Sequence, residues 1–491
     1  MGFGPGIGFR TEAPFRSYLA RRIVMSDFDF MSALDMRRLV ATRQVSPVEL
    51  TKRALSRAEA TQSSLNAFFV LMPEEARAAA RQAEAAVMQG GALGLLHGLP
   101  VSVKDLIAIA GQPFASGSRA MAGNVAAVDA PSVERLRRHG AVIIGKTTTS
   151  EFGCKPVGDS PLTGITRHPW DLAKTPGGSS AGAAASVAAG ITPFALGTDG
   201  GGSLRIPAAL TGLVGLKAQF GRVPVWPTSA TPTLAHVGAL ARSVGDAALL
   251  TTAVAGHDPR DPFSVAGPVP DLLGAVQSSV AGLRVAWSPT LGYARPDRNV
   301  VEIARAAAMA LADQGAVVEE VETVFDGDPG NLWTAEFYAG VGTRLRGVLE
   351  KQRDLLDPAV ADVLDAALAQ EMRAYYESVF RRYALRDAMV RFFDRYDVLL
   401  SPTVPISSLA AGCDLPARLS DRSLVTWVFY TYPFNLTGQP AASVCAGLDA
   451  DGMPVGLQIV GRSLGEMDVV RAAAAIERTK PRGYNLKQPV V

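Results

Sequence analysis

The sequence predicts a large α/β domain with a mostly parallel central sheet, and three observations support this. A helix, a glycine and a short apolar strand follow one another at residues 131–144 and again at 300–318, and such alternation is typical of parallel sheets. Apolar residues make up 48% of the 491 residues and charged residues only 19%, which indicates a well-buried globular protein. No internal repeat or low-complexity linker divides the chain, so we expect one domain.

In the first half of the chain, capping motifs, helix-ending glycines and apolar runs predict the helices and strands. Residues 46–49 (Ser-Pro-Val-Glu) form a capping box with proline at the first helical position, and the glycines at 90 and 91 end the next helix. We expect helices over 46–59, 74–89 and 131–139, and strands over 99–103, 141–144 and 192–198.

The second half is predicted to contain a helical section between strands. Aromatic residues between 328 and 395 alternate with charged residues at helical spacing, and we interpret most of them as packing residues. They include Trp333, Phe337, Tyr338, Tyr375, Tyr376, Phe380, Phe392 and Phe393. A hairpin with its turn at Asp451-Gly452 follows near the C-terminus. We expect strands over 283–287, 316–318 and 398–400, a helix over 300–314, and hairpin strands over 441–448 and 454–460.

Composition and charge exclude several classes of protein. The net charge of +2 is too small to indicate binding to nucleic acid or to an anionic membrane. The three cysteines lie far apart, which argues against a disulfide framework or a zinc site and favours a reducing compartment. The five histidines are scattered, so we expect no metal. No apolar run reaches the length of a membrane span, and we predict a cytoplasmic protein.

Residues 1–24 are predicted to lie outside the domain. They carry four arginines but no continuous apolar segment, so they make a poor signal peptide, whereas Met25 looks like a natural start. We therefore divide the chain into an N-terminal extension, residues 1–24, and a domain of residues 25–491. We interpret the extension as an upstream translation start or a disordered arm.

Candidate catalytic residues lie in the stretch from Pro176 to Pro207. Ser179 follows two glycines and Ser203 follows three. Glycine runs allow several backbone N–H groups to converge on one point. A serine beside such donors has what acyl transfer requires, a hydroxyl nucleophile and hydrogen bonds for the oxyanion. The strand over 192–198 would place Ser203 at the carboxyl end of the sheet, where α/β proteins carry their sites.

Two other motifs match known patterns but lack the required context. Residues 140–147 fit the P-loop pattern G-x-x-x-x-G-K-T, yet a helix precedes them and their middle is strand-like, so we expect no nucleotide site. Residues 178–182 fit the G-x-S-x-G elbow of α/β-hydrolases. No apolar strand precedes that motif, and neither His236 nor His257 has a persuasive setting for a base.

Lys104 is the candidate base for the two serines. It directly follows the strand predicted over 99–103, and loss of hydration there would lower its pKa towards a neutral, base-competent amine. A surface lysine paired with Asp105 explains the local sequence equally well. The residues around Lys104 leave both interpretations open.

Three motifs taken together resemble the amidase signature family. They are Val-Lys-Asp at 103–105, Pro-Gly-Gly-Ser-Ser-Ala-Gly at 176–182 and Gly-Thr-Asp-Gly-Gly-Gly-Ser-Leu-Arg-Ile-Pro at 197–207. The similarity extends from about residue 46 to 461, with further segments at 215–223, 238–243, 433–440 and 454–461. It implies one α/β domain whose mixed, mostly parallel sheet is covered by helices on both faces, with a signature core at about 95–260 and a helical section at about 328–395.

The resemblance also implies a role for each candidate. Ser203 is the nucleophile, Ser179 relays the proton and Lys104 is the base, and the bridging Ser179 follows a cis peptide bond from Gly178. The oxyanion hole is expected to consist of the N–H groups of Gly200, Gly201, Gly202 and Ser203. Three further residues are expected to support the site: Asp199 and Arg205 as an ion pair that holds the loop, and Ser180 as a hydrogen-bonding neighbour.

Three departures from the family pattern bear on the loop and the substrate. Gly200 stands where a residue with a side chain is common, which we expect to loosen the loop without removing an N–H donor. Ile206 stands where amidotransferase subunits usually carry glutamine, so a glutaminase function loses weight. Thr148 replaces a common asparagine in a segment expected to face the substrate, so the substrate's identity stays open.

We therefore expect a cofactor-free amidohydrolase that cleaves a linear C–N bond in a small-molecule amide, anilide or carbamate. Two alternatives stay open. One is a glutamine-hydrolysing subunit of an aminoacyl-tRNA amidotransferase, which would need partner proteins, and the other is a non-catalytic relative that acts as a binding protein. The resemblance favours a homodimer, and Trp333, Phe337 and Tyr338 favour an apolar or aryl acyl group.

Overall fold

The computed structural model describes residues 28–479, so the extension predicted for residues 1–24 lies outside the described residues. Eleven strands of this part of the chain form one sheet, and two short strands form a second. The strands are β1 (Phe68–Leu71), β2 (Pro100–Lys104), β3 (Val142–Thr147), β4 (Asp159–Ser160), β5 (Gly164–Ile165), β6 (Phe194–Asp199), β7 (Val214–Lys217), β8 (His236–Ala241), β9 (Arg284–Trp287), β10 (Val317–Glu320), β11 (Val398–Pro402), β12 (Ala441–Leu448) and β13 (Pro454–Gly461). The helices are α1 (Ala33–Ala41), α2 (Pro47–Leu65), α3 (Pro73–Gln89), α4 (Pro131–Arg138), α5 (Ala181–Ala188), α6 (Arg205–Thr211), α7 (Val244–Val254), α8 (Leu272–Val276), α9 (Arg298–Met309), α10 (Gly330–Lys351), α11 (Pro358–Leu368), α12 (Met372–Arg395), α13 (Pro433–Leu436) and α14 (Glu466–Arg478).

The large sheet is mixed. Its strand order is β1-β3-β2-β6-β8-β7-β12-β13-β11-β9-β10. The groups β3-β2-β6 and β11-β9-β10 pair in parallel, and the other neighbours pair antiparallel. The α/β class and the mixed sheet are confirmed, although four parallel pairs against six antiparallel ones are fewer than the sequence predicted. The helix–glycine–strand pattern reports only connections that pass through a helix, so it did not reveal the antiparallel neighbours β8, β7 and β12.

Helices cover both faces of the sheet, and alternate residues of its strands belong to different cores. On β11, Val398 and Leu400 pack into one cluster of buried side chains, whereas Leu399 packs into another. On β9, Trp287 packs into the first of these clusters and Ala286 into the second. Because successive side chains of a strand point to opposite faces, both faces are buried, as predicted.

Most of the predicted elements exist, and some are longer than predicted. The capping box at Ser46 is present, with the Ser46 side chain accepting from Val48 N–H and its own N–H donating to Glu49. The helix that follows continues to Leu65, beyond the predicted end at 59, because a left-handed Asn66 terminates it. The strand predicted over 141–144 continues through residue 147 as β3. The P-loop-like segment is therefore strand, and the prediction of no P-loop there is confirmed.

The section from 328 to 395 is helical, as predicted, and consists mainly of α10, α11 and α12. Trp333, Phe337 and Tyr338 on α10 are buried. On α12, however, Tyr376 and Phe380 are 52% and 68% exposed, so their interpretation as packing residues is wrong. Helical spacing alone did not show that α12 turns this face away from the sheet.

Candidate active site

Two neighbouring parallel strands place the site at one edge of the sheet. β2 ends at Lys104 and β6 ends at Asp199. The two strands pair in parallel, with Val103 opposite Leu196, so their carboxyl ends lie side by side. A loop of residues 200–204 connects β6 to α6, and Ser203 therefore lies just beyond the carboxyl end of β6, where the sequence predicted it.

The three predicted catalytic side chains are brought together in one hydrogen-bonded line. Lys104 Nζ lies 2.7 Å from Ser179 Oγ, and Ser179 Oγ lies 2.9 Å from Ser203 Oγ. Lys104 is fully buried, and Ser203 is 8% exposed. The peptide bond between Gly178 and Ser179 is cis, as the resemblance implied. The line therefore runs from a fully buried amine to a serine that retains a small exposed area.

The environment of Lys104 favours a neutral amine. Burial lowers the pKa of Lys104 well below its usual value, and the nearby Asp199 carboxylate opposes this shift only in part. The alternative of a surface lysine paired with Asp105 is wrong, because Asp105 instead forms an ion pair with the buried Lys146 at 2.6 Å. A neutral amine in contact with Ser179 is able to accept a proton.

Thr198 is a contact of Lys104 that the sequence analysis missed. Its Oγ1 lies 2.8 Å from Lys104 Nζ, so it fixes the amine from a second direction. Ser180 Oγ donates to the Thr198 carbonyl at 3.1 Å and accepts from the Thr198 N–H at 3.3 Å. The supporting hydrogen bonds expected of Ser180 are thus directed at the end of β6. The sequence feature that could have identified Thr198 is its position as a polar residue at the carboxyl end of a buried strand.

Asp199 and Arg205 form the predicted ion pair beneath the loop. The two side chains are fully buried, and both guanidinium contacts to the carboxylate measure 2.9 Å. Burial alone would raise the pKa of Asp199, but the Arg205 guanidinium outweighs it and holds that pKa well below the usual range of a carboxyl. The carboxylate also accepts from the N–H groups of Gly202 and Leu204. It therefore shapes the loop from inside.

Residues from the C-terminal part of the chain complete this network. Arg205 donates to the Thr431 carbonyl at 2.9 Å, to Gln458 Oε1 at 2.8 Å and to Asn435 Oδ1 at 2.7 Å. Asn435 Nδ2 in turn donates to Asp199. The sequence analysis assigned no role to these three residues, although two of them lie in the segments 433–440 and 454–461. The sequence feature that could have identified them is a polar side chain within an otherwise apolar segment.

The N–H groups of the loop differ in their availability. The Gly202 N–H donates to Asp199 Oδ1 at 2.8 Å, so this predicted oxyanion donor is engaged. Within residues 28–479, the N–H groups of Gly200, Gly201 and Ser203 have no hydrogen-bond acceptor. Three of the four predicted donors are therefore not engaged by this part of the chain.

The loop at Gly200 is packed, which differs from the loosening expected there. A Cβ atom at Gly200 would lie 2.8 Å from a ring carbon of Phe337, and one at Gly201 would lie 2.7 Å from Trp333. The two rings stack on each other with centroids 4.3 Å apart. Aromatic side chains of α10 thus occupy the space that a side chain at position 200 would fill.

The histidine of the alternative hydrolase motif does not serve the serines. His236 Nδ1 lies 2.8 Å from the Leu234 carbonyl, and its Nε2 lies 3.3 Å from Lys217 Nζ. Burial lowers the pKa of His236 well below its usual value, and the adjacent Lys217 lowers it further. The ring is therefore a buried structural group, which agrees with the sequence analysis.

A cluster of charged residues links the segment 151–159 to the start of α11 and to Asp414. Lys155 Nζ contacts Asp159, Asp357 and Asp414 at 2.6–2.8 Å. Glu151 Oε2 accepts from the Asp357 N–H at 2.8 Å, and burial raises the pKa of Glu151 to about 7. Three segments distant in sequence thus meet at Lys155.

Replacing Glu151 by glutamine is expected to make the protein more stable relative to wild type as the pH rises from 5 to 8. Between about pH 4.3, where an unfolded glutamate titrates, and pH 7, the folded wild type binds a proton that the unfolded chain has lost. Its stability therefore falls with rising pH in this window, whereas glutamine stays neutral. Urea unfolding at both pH values measures the difference, and the exposed Glu59→Gln is the control. A difference that does not change with pH would contradict the prediction.

A cavity of about 610 Å³ lies between α10, α11 and residues 421–426. Tyr338 lines it and donates to the Cys154 carbonyl at 3.1 Å. The neighbouring Gly153 approaches Ser179, since a Cβ atom at this glycine would lie 3.2 Å from Ser179 Oγ. The cavity is thus separated from the relay by Tyr338 and the segment 153–154.

Residues 28–479 contain no group of three or more histidine, cysteine, aspartate or glutamate side chains suited to a metal ion. None of their helices combines the length and the apolarity that crossing a bilayer requires.

Comparisons with known proteins identify the family of this chain. The family model described as Amidase matches residues 49–470. An acylamidase of Rhodococcus erythropolis is 36% identical over 462 residues, covering 92% of this chain and 96% of that protein. A glutamyl-tRNA(Gln) amidotransferase subunit of Anaeromyxobacter dehalogenans (strain 2CP-C) is 37% identical over 472 residues, covering 89% of this chain and 94% of that protein.

A solved structure has the same fold over nearly the whole chain. The crystal structure of a bacterial aryl acylamidase of the amidase signature family superposes with a TM-score of 0.88 at 30% identity, covering 94% of this chain and 99% of that one. Since the family model spans most of the chain and the relatives match it over nearly their whole length, this protein belongs to the amidase signature family of amidohydrolases.

Proposed function

We propose that this protein hydrolyses a linear C–N bond, in a carboxylic amide, an anilide or a carbamate, through an acyl-enzyme on Ser203. The observation that carries the proposal is the line from Lys104 through Ser179 to Ser203, with contacts of 2.7 and 2.9 Å. A buried amine with a lowered pKa at its inner end supplies the base that a serine nucleophile requires.

The line accounts for both proton transfers. Ser203 Oγ attacks the carbonyl carbon and gives its proton to Ser179, which passes its own proton to Lys104. When the C–N bond breaks, the same path returns a proton to the leaving nitrogen. Water then attacks the acyl-enzyme with the same groups as base and acid, which releases the carboxylic acid, or a carbonic acid half-ester from a carbamate, and restores Ser203.

The loop supplies the charge stabilisation. The N–H groups of Gly200, Gly201 and Ser203 are assigned as donors to the oxyanion, since the Gly202 N–H is engaged by Asp199. One such donor is typically worth about 2.7–4 kcal/mol of transition-state stabilisation. The Asp199–Arg205 pair keeps the loop in place before the substrate arrives, so its dipoles need no reorganisation.

Similarity supports a small amide as substrate. The acylamidase and the bacterial aryl acylamidase named above match nearly the whole chain. Similarity to the amidotransferase subunit keeps a glutamine-hydrolysing function as the second candidate. Ile206 is the departure that speaks against it.

A non-catalytic binding protein is disfavoured because Lys104, Ser179 and Ser203 are all present and in contact. The homodimer and the cytoplasmic location stay predictions.

The test is amine or ammonia release by the purified protein alone. The panel contains an aliphatic amide, an aryl acetamide, 4-nitroacetanilide, an aryl carbamate and glutamine, each repeated with Ser203→Ala. We expect turnover of at least one compound other than glutamine, abolished in the variant. Turnover of glutamine alone would support the amidotransferase function, and turnover that survives in Ser203→Ala would refute the proposed nucleophile.

A further inference from the structure

Three consecutive carbonyls of the loop are each held by a different donor. Trp333 Nε1 donates to the Gly200 carbonyl at 2.8 Å, and Thr431 Oγ1 donates to the Gly201 carbonyl at 2.6 Å. The Ile206 N–H donates to the Gly202 carbonyl at 2.7 Å. The first of these donors belongs to α10, far outside the signature core in sequence.

Fixing a carbonyl also fixes the N–H of the same peptide. The peptide bonds of this loop are trans, and in a planar trans peptide the C=O and N–H groups point in opposite directions. The middle peptide demonstrates this, because its C=O faces Thr431 while the Gly202 N–H faces Asp199. By the same geometry, the bond from Trp333 turns the Gly201 N–H away from α10.

This orientation has to be imposed from outside the loop. Glycine adopts positive and negative φ with similar ease, so a run of three glycines does little to fix the direction of its own peptide groups. Trp333 is suited to fix it because it is 2% exposed. Its ring stacks on Phe337 and makes an edge contact with Tyr338.

We propose that Trp333 is a positioning residue for the reaction, whose indole N–H aims the Gly201 N–H at the oxyanion by holding the Gly200 carbonyl. This inference rests on the proposed function. It assigns to the helical section a part in transition-state stabilisation, in addition to its place above the sheet. Trp333 itself does not touch the reacting atoms.

The test compares Trp333→Phe with a matched variant, Trp427→Phe. Trp427 is also buried and also donates its indole N–H to a backbone carbonyl, that of Asp414 at 3.1 Å, but within residues 28–479 it makes no hydrogen bond to the loop. We expect kcat on 4-nitroacetanilide, or on whichever panel compound is turned over fastest, to fall roughly tenfold to a hundredfold in Trp333→Phe, with KM changed less than about threefold. Trp427→Phe should keep both constants within about threefold of wild type.

A second readout reports on the loop without amide turnover. An alkyl fluorophosphonate reacts when Ser203 Oγ displaces fluoride from phosphorus, and the phosphoryl oxygen then lies where the oxyanion would. We expect the labelling rate of Ser203 to fall in Trp333→Phe by the same factor as kcat, and not in Trp427→Phe. Equal rates in wild type and Trp333→Phe, or equal losses in both variants, would overturn the role of Trp333 while leaving Ser203 as nucleophile. A wild-type protein that is not labelled at Ser203 would overturn the proposed function and this inference together.

An isosteric replacement separates the hydrogen bond from the packing. β-(3-Benzothienyl)alanine at position 333 keeps the shape of the two fused rings but has sulfur in place of the N–H. We expect it to show the same loss of kcat as Trp333→Phe with a melting temperature close to that of wild type. Full activity of this isostere would show that the N–H has no part in the reaction.

Discussion

Replacing Lys104 by methionine is expected to lower kcat/KM on the order of 10⁴-fold, since a general base and the nucleophile it activates act as one unit. Methionine has nearly the length of lysine but cannot accept a proton from Ser179. Amide turnover and fluorophosphonate labelling of Ser203 both measure the loss. The exposed Lys52→Met is the control and should be fully active. Near-wild-type turnover in Lys104→Met would rule out the lysine as the base.

The same variant should change how stability depends on pH. Burial lowers the pKa of Lys104 in the folded protein, whereas in the unfolded chain a lysine titrates at about 10.4. Between these two values the unfolded chain binds a proton that the folded protein lacks, so wild-type stability rises with pH. Methionine has no such dependence. The unfolding free energy of Lys104→Met relative to wild type should therefore fall between pH 7 and pH 9.5, as measured by urea unfolding. A relative stability that stays constant or rises over this range would contradict the neutral state of Lys104.

The second large effect concerns stability. Replacing Arg205 by alanine should lower the unfolding free energy by about 3–5 kcal/mol, because it leaves the carboxylate of Asp199 buried without its cation. Both side chains of the pair are fully buried. The exposed pair of Arg346 and Glu350 provides the control, and Arg346→Ala should cost about 0.3–0.5 kcal/mol at most. Urea unfolding of both variants measures the contrast.

Arg205→Lys gives a finer comparison. Lysine keeps the positive charge but cannot reproduce the planar fork of donors, which in Arg205 reaches Asp199, Asn435 and Gln458 at once. We expect a stability between those of wild type and Arg205→Ala. If Arg205→Lys is as stable as wild type, the charge alone matters and the described network does not.

The sequence was most informative where local chemistry decides the structure. The capping box at Ser46 and the glycine stop at Gly90 fix helix ends through contacts a few residues apart, and both are present. The hairpin of β12 and β13 is also local, with its turn at Gly452 in the left-handed region. The end of α2 at residue 65 was missed, because Asn66 in a left-handed conformation is a weaker signal than glycine.

Long-range features of the fold and the site were less predictable. Spacing along the chain cannot show which strand returns beside which, so the antiparallel pairings of β6 with β8, β8 with β7 and β7 with β12 were not anticipated. The resemblance to the family's motifs allowed us to predict that Lys104, Ser179 and Ser203 lie together. It did not identify Thr198, or the Gly202 N–H that donates to Asp199. Trp333 was noted only as an aromatic residue, because its contact with Gly200 spans 133 residues of sequence.

The network around Arg205 also has a consequence for the order of events during synthesis. Gln458, which receives one of the Arg205 hydrogen bonds, follows it by 253 residues. A ribosome releases Lys104, Ser179 and Ser203 long before it has made β13, so a nascent chain holds all three reacting side chains without the partners that fix their loop. We expect the ability to cleave amides to arise late, when almost the whole chain has emerged, and a cell would then not be exposed to a half-made hydrolase.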